Sequence, residues 1–357
     1  MKNDIKSMLL QELVEYFLLI EEPQFRAEQV FKWLNKGATS FSDMTNLSLE
    51  LRNKLDKGFF ISSPVMLDKL VSESDGTVKY LWQVSDNDTV ECVLMHRQHG
   101  YTLCISTQVG CKMGCAFCAS SIDGYKRDLT ASEMLDQVLY SQKDIGQRIS
   151  NVVLMGIGEP LDNFDNVLRF IKLITHPSGL NIGARHITLS TCGQVENIDK
   201  LADYDVQLTL AISLHAPDDE TRSQLVPLNN KYNVSCLFDA AGRYFKKTGR
   251  RVTFEYVMID GINDTLNQAE LLSKLLKETG SHLNLILLSD VQERKYKASS
   301  KERLYGFTGI LDKNKINYTV RRSLGTDIKA ACGQLRHHRQ SAATQQDWFK
   351  KNTTEKR

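Results

Sequence analysis

Three closely spaced cysteines, Cys111, Cys115 and Cys118, have the clearest chemistry in this sequence. Their spacing, Cys-x3-Cys-x2-Cys, supplies three thiolates from one short loop, whereas a closed structural zinc site takes four protein ligands. Cysteine thiolates also hold iron–sulfur clusters, and a cubane cluster has four irons. Three ligands would therefore leave one iron open to a small molecule. A zinc site completed by Cys104 or by a histidine is the alternative that the spacing leaves open.

The cysteine spacing resembles the signature of the radical-SAM enzymes. In those enzymes S-adenosylmethionine (SAM) binds the open iron through its amino and carboxylate groups. An electron from the cluster breaks the sulfonium and yields a 5′-deoxyadenosyl radical, so the cofactor supplies the difficult chemistry. The resemblance implies one [4Fe–4S] cluster held by three cysteines, together with SAM.

Composition places the chain among soluble globular proteins, with 41% hydrophobic and 25% charged residues in 357 and a net charge of +2. The apolar runs 206–214 and 283–288 are far too short to span a bilayer. The first residues lack the apolar run of a signal peptide, and eight cysteines without such a signal argue against a disulfide framework. We therefore expect a cytoplasmic protein with no membrane partner.

The elements that must position the cysteines change in kind along the chain. Residues 1–62 carry apolar side chains at three- and four-residue steps, which predicts a helical module, and residues 63–98 predict a β-hairpin linker layer. From 99 to 336 strands alternate with amphipathic helices, which predicts an α/β domain with a parallel sheet. Six such units favour a partial barrel, although the pattern alone leaves an open sheet as an alternative. We expect residues 337–357 to be a flexible basic tail, and the basic residues from Arg321 onward can meet phosphates.

The predicted strands of the α/β domain are 103–107, 151–155, 186–190, 207–213, 252–258, 283–288 and 318–321. Its predicted helices are 131–145, 164–175, 234–247 and 265–278. Chemistry in such folds collects at the carboxyl ends of the strands. The cysteine loop and the segments 156–160, 190–193 and 213–215 all fall at those ends, which predicts one shared rim.

The turn 156–160 resembles the strip that binds the amino group of SAM in radical-SAM enzymes. Glycine lets the backbone approach a ligand closely, so Gly158 and Glu159 are candidates for that contact. A glycine turn without function is the alternative. Candidates for the ribose or carboxylate of SAM are Ser190, Ser213, Leu214 and His215.

Three residues outside the cysteine loop, each considered alone, do not indicate a function. Cys104 lies on the first predicted strand, Cys332 beyond the last one, and Glu91 on the hairpin. A strand cysteine is usually a small buried hydrophobe, and a strand glutamate usually faces solvent. The cysteines predicted to be such packing residues are Cys92, Cys192 and Cys236.

Taken in order, these residues resemble the RlmN/Cfr family of radical-SAM RNA methyltransferases over nearly the whole chain. The motifs that carry the resemblance are TLCISTQVGC (102–111), ITLST (187–191), AISLHA (211–216) and DIKAACGQL (327–335). The pair Glu159 and Pro160 favours the branch that methylates C2 of adenine, because the C8-methylating branch tends to lack this proline.

The resemblance implies a mechanism that uses two SAM molecules per turnover. Cys332 receives a methyl group from one SAM, the radical from the second takes a hydrogen atom from it, and the methylene adds to adenine C2. Glu91 is implied as the base that removes the C2 proton, and Cys104 as the thiol that attacks Cys332 and leaves a disulfide. General chemistry agrees, because adenine C2 is electrophilic and release of a thioether adduct needs a second thiol.

The implied substrates are an adenosine of 23S rRNA and the adenosine beside the tRNA anticodon, both in loops where a base can be splayed out. The family resemblance also implies that the helical module 1–62 is of an RNA-binding type. The implied electron donor is a flavodoxin or ferredoxin, and we expect a monomer. The family places an asparagine that contacts SAM where this chain has Ser289, so Ser289 or Asp290 would take over that contact. The alternatives are a C8 methyltransferase and a catalytically impaired RNA-binding relative.

Overall fold

The computed structural model of the protein describes residues 2–98, 100–204 and 206–335, so the predicted tail 337–357 lies outside the described residues. In the part of the chain that is described, no helix has both the length and the apolar character needed to cross a bilayer. The helices are α1 (Leu10–Leu19), α2 (Gln24–Asn35), α3 (Leu49–Gly58), α4 (Ala131–Ile145), α5 (Phe164–Thr175), α6 (Val195–Asp203), α7 (Asp219–Leu225), α8 (Val234–Thr248), α9 (Leu266–Thr279) and α10 (Lys301–Lys313).

The strands form one large sheet and two small ones. They are β1 (Asn3–Asp4), β2 (Phe59–Phe60), β3 (Val65–Val71), β4 (Val78–Gln83), β5 (Thr89–Arg97), β6 (Gly100–Cys104), β7 (Gln108–Gly110), β8 (Tyr125–Asp128), β9 (Ile149–Leu154), β10 (Ile187–Thr191), β11 (Thr209–Ser213), β12 (Thr253–Met258), β13 (His282–Leu287) and β14 (Tyr318–Arg321).

The N-terminal segment is helical because its apolar residues recur on one side of each helix. Leu13 and Phe17 of α1 and Val30, Phe31 and Leu34 of α2 are buried. Strand β1 pairs in parallel with β2, which brings the start of this segment back to its end. The helical character predicted for this part of the chain is confirmed.

The large sheet has the strand order β14-β13-β12-β11-β10-β9-β6-β5-β4-β3. Strands β6 and β9 to β14 run parallel to one another. Strands β3 to β6 form an antiparallel meander, so β6 is parallel to β9 on one side and antiparallel to β5 on the other. The predicted partial barrel is therefore confirmed, with helices between successive parallel strands. The hairpin strands do not form a layer of their own, because β5 pairs directly with β6 and so extends the same sheet.

The helix boundaries follow from capping and amphipathic residues. Helix α4 begins at a capping box formed by Thr130 and Glu133 and ends at Gly146, whose φ of 61° is left-handed. Helices α4 and α5 have the predicted bounds, and α8 and α9 differ from them by one residue at one or both ends. Helices α6, α7 and α10 were not predicted. Helix α7 has seven mostly polar residues and buries only Arg222 and Leu225, which is too short a stripe to show periodicity.

A buried ion pair fastens the N-terminal helices to the barrel. The ammonium of Lys6, which is 2% exposed, lies 2.7 Å from Asp136 on α4. It also donates to the carbonyl of Ser62, and the Ser62 hydroxyl donates to the second Asp136 oxygen at 3.0 Å. This buried ion pair and its hydrogen bonds connect the N-terminal segment to α4 of the barrel.

We expect Lys6→Met to lower the free energy of unfolding by about 3–5 kcal/mol, because it leaves the buried Asp136 carboxylate without a counter-charge. Urea denaturation monitored by circular dichroism measures this. The matched control is Lys32→Met, because Lys32 pairs with Glu28 on an exposed helix face and such pairs contribute about 0–1 kcal/mol. Equal midpoints for the two variants would contradict the prediction.

Candidate active site

A cavity with about 950 Å³ of empty space, continuous with solvent, lies at the carboxyl edge of the parallel strands. The predicted site residues that line it are Cys111, Cys115, Cys118, Gly158, Glu159, Ser190, Ser213, His215 and Cys332. Those that lie outside its described lining are Glu91, Cys104, Leu214 and Ser289.

The cysteine loop is held in place by contacts along its length. Strands β7 and β8 form an antiparallel ribbon at its two ends. Gly110 must be glycine, because its φ is 73° and a Cβ there would lie 1.8 Å from the carbonyl oxygen of Gly124. Further along, the Ala116 amide donates to the Leu225 carbonyl at 2.9 Å, and Arg294 donates to the Cys118 carbonyl at 3.0 Å.

The three loop thiols, those of Cys111, Cys115 and Cys118, line the same cavity. Among the residues that the structure describes, no three or more His, Cys, Asp or Glu side chains converge closely enough to hold one ion. A zinc ion needs its ligands at about 2.0–2.3 Å from one point, whereas each thiolate of a cluster binds a different iron. Cys104, the proposed fourth zinc ligand, lies in a separate apolar cluster with Val93 and Ile157. This position argues against Cys104 as the fourth ligand of a zinc site at the loop.

Cys192 also belongs to this site, although it was predicted to be a packing residue. It lines the cavity, and its Sγ lies 3.8 Å from the Sγ of Cys115. The thiol of Cys192 lowers the pKa of Cys115, whereas burial raises the pKa of Cys111 and Cys118. Cys192 packs against an apolar cluster, as predicted, but its contact with Cys115 was missed because the two are distant in sequence. The packing prediction was wrong for the exposed Cys236, while Cys92 is buried as predicted.

Contacts within the protein fix the conformation of the turn after β9. Gly158 has a φ of 110°, and a Cβ there would lie 2.7 Å from the Gln108 side chain. The packing against Gln108 is therefore enough to require glycine, whether or not a ligand binds here. The carboxylate of Glu159, which is 1% exposed, accepts hydrogen bonds from the amides of Cys192 at 2.6 Å and Leu161 at 3.0 Å. Burial raises the pKa of Glu159 to about 7. Glu159 thus fastens the loop after β9 to the end of β10; its contact with SAM stays a prediction.

His215 presents a neutral imidazole to the cavity. Its Nδ1 accepts a hydrogen bond from the Val257 amide at 3.0 Å, so the ring proton is on Nε2. Burial, and to a lesser degree Arg222, lower the pKa of His215 to about 3. Phe117 of the cysteine loop packs edge-on against the ring, with centroids 4.9 Å apart. A fixed N–H donor of this kind suits the oxygen atoms of a ribose or a carboxylate.

Arg222 on α7 was not predicted, yet it holds the rim of the cavity together. Its side chain is wholly buried. The guanidinium donates to the carbonyls of Cys192 at 2.7 Å, Leu214 at 3.0 Å and Ser213 at 3.2 Å. Burial lowers its pKa to about 10. Leu214 itself is fully buried, so this predicted site residue belongs to the core beneath the rim.

The segment that carries Cys332 is held from several sides. The Gly333 carbonyl accepts from the Ala119 amide of the cysteine loop at 2.7 Å. The side-chain amide of Gln334 donates to the Asp290 carbonyl at 2.8 Å, and the Ser72 hydroxyl donates to the Asp327 carboxylate at 2.8 Å. Cys332 itself is exposed and lines the cavity, whereas its two preceding alanines are buried. Ala330 and Ala331 are therefore small because they are packed. Their size had suggested a flexible segment instead.

Cys104 and Glu91 lie behind the wall of the cavity that carries Cys332. Cys104 is buried and packs in one apolar cluster with Ala330. Burial, and secondarily the nearby Cys332, raise the pKa of Cys104 well above its ordinary value. The Glu91 carboxylate is buried and lies 3.2 Å from the ammonium of Lys79, which also donates to the Lys329 carbonyl at 3.3 Å.

A buried carboxylate and a guanidinium complete the lining, and neither was predicted in this role. Arg321 was predicted to meet phosphates as part of a basic region. Instead it lines the cavity and lies 3.2 Å from Glu255 on β12, whose other oxygen accepts from Asn284 at 2.9 Å. A charged residue inside the apolar run 252–258 was the available signal. Ser289 is half-buried beside the cavity-lining Leu288.

Comparisons with known proteins agree with this architecture. The profile of the Radical SAM superfamily matches residues 105–269, and that of the "Ribosomal RNA large subunit methyltransferase N-terminal domain" matches residues 3–61. A curated protein of Lachnoclostridium phytofermentans, named "Probable dual-specificity RNA methyltransferase RlmN", is 49% identical over 94% of both chains. A protein of the same name from Alkaliphilus oremlandii is 50% identical over 94% of this chain and 98% of its own.

A solved structure is similar over the same span. It is a radical SAM methyltransferase from Sphaerobacter thermophilus, with 41% sequence identity and a TM-score of 0.88 over 93% of this chain and 99% of its own. The sequence relatives cover 94% of this chain and the solved structure 93%, and the two family profiles match its N-terminal segment and most of its barrel. The chain therefore belongs to the RlmN family of the radical SAM superfamily.

Proposed function

We propose that this protein methylates C2 of adenosine in RNA, acting on 23S rRNA and on the adenosine next to the anticodon of tRNAs. The observation that carries the proposal is that one cavity joins the three loop cysteines to Cys332, which lies more than two hundred residues further along the chain. The names of the relatives support the RNA substrate class and do not favour the C8-methylating alternative. A flavodoxin or ferredoxin is the proposed electron donor.

The proposed cofactors are one [4Fe–4S] cluster, held by Cys111, Cys115 and Cys118, and two SAM molecules per turnover. When bound, they supply the methyl group that Cys332 receives, the radical that takes a hydrogen atom from that methyl group, and an acceptor for one electron afterwards. The side chains proposed to bind SAM are Ser190, Ser213 and His215, with the backbone at Gly158. Ser289 or Asp290 remains the proposed substitute for the family's asparagine.

The first task of the chain is to present Cys332 to both the methyl donor and the RNA. Its exposed thiol sits on a packed segment, so a methylated sulfur keeps a defined position in the cavity. The methylene carbon forms a bond to adenine C2, and the adduct then loses one electron and the C2 proton. We assign Glu91 as the base for that proton. Because Glu91 pairs with Lys79, which also binds the carbonyl of Lys329, any shift of the Cys332 segment would act on this base directly.

Cys104 then resolves the adduct. Its sulfur bonds to the Cys332 sulfur, the carbon–sulfur bond breaks, and the released carbon gains the proton that completes the methyl group. Two thiols are oxidised to a disulfide while the carbon is reduced, so an external dithiol must restore the enzyme. Because burial raises the pKa of Cys104, this thiol stays protonated and unreactive until then.

The remaining parts of the chain are proposed to bind RNA and to support Cys332. We assign residues 1–62 to RNA binding, supported by the match of 3–61 to the N-terminal domain of a ribosomal RNA methyltransferase. Residues 63–98 link this part to the barrel domain 99–336, and their Ser72 and Lys79 also hold the segment of Cys332. The basic tail 337–357, outside the described residues, is proposed to meet RNA phosphates.

The function is tested by anaerobic turnover with SAM, a reductant and either 23S rRNA fragments or tRNA. Mass spectrometry of the digested nucleosides is expected to find 2-methyladenosine. Finding 8-methyladenosine instead would support the alternative branch. SAM cleavage to 5′-deoxyadenosine separates an active enzyme from an impaired RNA-binding relative.

Cys115→Ala is expected to abolish iron binding and SAM cleavage, because two thiolates do not hold the cluster. Iron, sulfide and zinc are measured in anaerobically reconstituted protein, for which we expect about four irons and four sulfides per chain. Cys236→Ala, which removes an exposed thiol outside the cavity, is the matched control and should keep the full iron content. Stoichiometric zinc in active protein would contradict the assignment.

Cys104→Ala is expected to leave radical formation intact and to trap a covalent protein–RNA species, because no second thiol can release the adduct. A ribonuclease-sensitive shift on a denaturing gel measures it. The double variant Cys104→Ala with Cys332→Ala should give no adduct, since the bond to RNA needs Cys332. Normal turnover of the single variant would show that Cys104 only packs in its apolar cluster.

Cys332→Ala is expected to keep the cluster and lose all RNA methylation, because no methylene group can form. Peptide mass spectrometry of the wild-type protein should find one methyl group on Cys332 before any RNA is added. The Cys104→Ala variant is the control, because its Cys332 can still be methylated. An unmodified Cys332 throughout turnover, or full activity of the alanine variant, would contradict the mechanism.

A further inference from the structure

Cys192 occupies a position that the reaction outlined above does not use. It lies just after the end of β10, is half-buried, and its Sγ is 3.8 Å from the Sγ of Cys115. This is within hydrogen-bonding distance for two sulfur atoms. The two residues are 77 positions apart, so the contact depends entirely on the tertiary fold.

The backbone of Cys192 is fixed on both sides by buried ionisable side chains. Its amide donates to the carboxylate of Glu159 at 2.6 Å, and its carbonyl accepts from the guanidinium of Arg222 at 2.7 Å. The next residue, Gly193, has a φ of 106°, and a Cβ there would lie 2.4 Å from the Leu237 side chain. The direction of the Cys192 thiol is therefore set by a rigid surrounding rather than by a mobile loop.

A thiol that donates a hydrogen bond to a metal-bound thiolate withdraws electron density from its sulfur. Less electron density on the sulfur makes the cluster easier to reduce, because hydrogen bonds to the sulfurs are among the factors that set cluster potentials. The buried Arg222 guanidinium and the buried Glu159 carboxylate hold the Cys192 backbone from its two sides and have opposite effects on the Cys115 thiolate, so the shift in potential depends on the thiol hydrogen bond.

We propose that Cys192 is a positioning residue for the cluster: its S–H donates a hydrogen bond to the Cys115 sulfur and raises the reduction potential of the cluster. This inference rests on the proposed function only in taking Cys115 as an iron ligand. It adds a residue that tunes electron entry before SAM is cleaved. Cys192 is not a fourth iron ligand, because its thiol is directed at the Cys115 sulfur and its backbone is fixed there.

The test is the midpoint potential of the reconstituted cluster, measured without SAM or RNA in Cys192→Ala, Cys192→Ser and wild-type protein. We expect a lower potential in the alanine variant and a value near wild type in the serine variant, because the hydroxyl still donates. Electron–nuclear double resonance of the reduced cluster in H₂O and D₂O should lose one exchangeable proton coupling in the alanine variant only. Cys236→Ala is the matched control and should change neither quantity.

Iron content and circular dichroism establish that each variant folds and is loaded. Equal potentials and equal proton couplings in fully loaded wild type and Cys192→Ala would overturn the inference. Selective loss of iron in both Cys192 variants would also overturn it, since Cys192 would then be a ligand. A wild-type protein that holds no cluster would instead refute the proposed function, so the two failures are distinguishable.

Discussion

The buried guanidinium of Arg222 is the interaction on which the geometry of the site depends. The carbonyls at the carboxyl ends of β10 and β11 emerge from the sheet with no next strand residue to bond, and unsatisfied buried carbonyls are costly. Arg222 satisfies those of Cys192, Ser213 and Leu214 at once. Glu159 binds the Cys192 amide from the opposite side. Two buried ionisable side chains, one of which also lines the cavity, thus fix the rim.

The antiparallel extension, strands β3 to β5, covers one edge of the parallel sheet and also positions groups of the site. Because β5 pairs with β6, Glu91 lies on the strand beside that of Cys104, two residues from Val93, which is the register partner of Cys104. The same extension holds the segment of Cys332 through Ser72 and Lys79. The groups proposed for methyl transfer, proton removal and resolution are therefore carried by one continuous sheet and the segment packed against it. The relative positions of Glu91 and Cys104 are set by the register of β5 against β6.

The predictions that were wrong or incomplete failed for one common physical reason. Cys192, Arg222 and Arg321 are each ordinary in their own segments, and each takes its role from a partner on another element. Glu159 stands in a recognisable motif, yet its carboxylate accepts a hydrogen bond from the distant Cys192 amide, which no local pattern encodes. Composition and periodicity describe an element and its buried face, and they carry no information about what lies across a cavity.

The sequence by itself determined the cysteine loop, the alternation of strands and helices, and the bounds of helices such as 131–145 and 164–175, because spacing, capping and periodicity are local properties. It also indicated that the strand ends and Cys332 serve one site. Only the tertiary structure decided that Glu91 and Cys104 lie behind the cavity, that the hairpin extends the main sheet, and that Cys192 reaches Cys115. These contacts join residues far apart in the chain, so their energies exist only once strand order and register have brought them together.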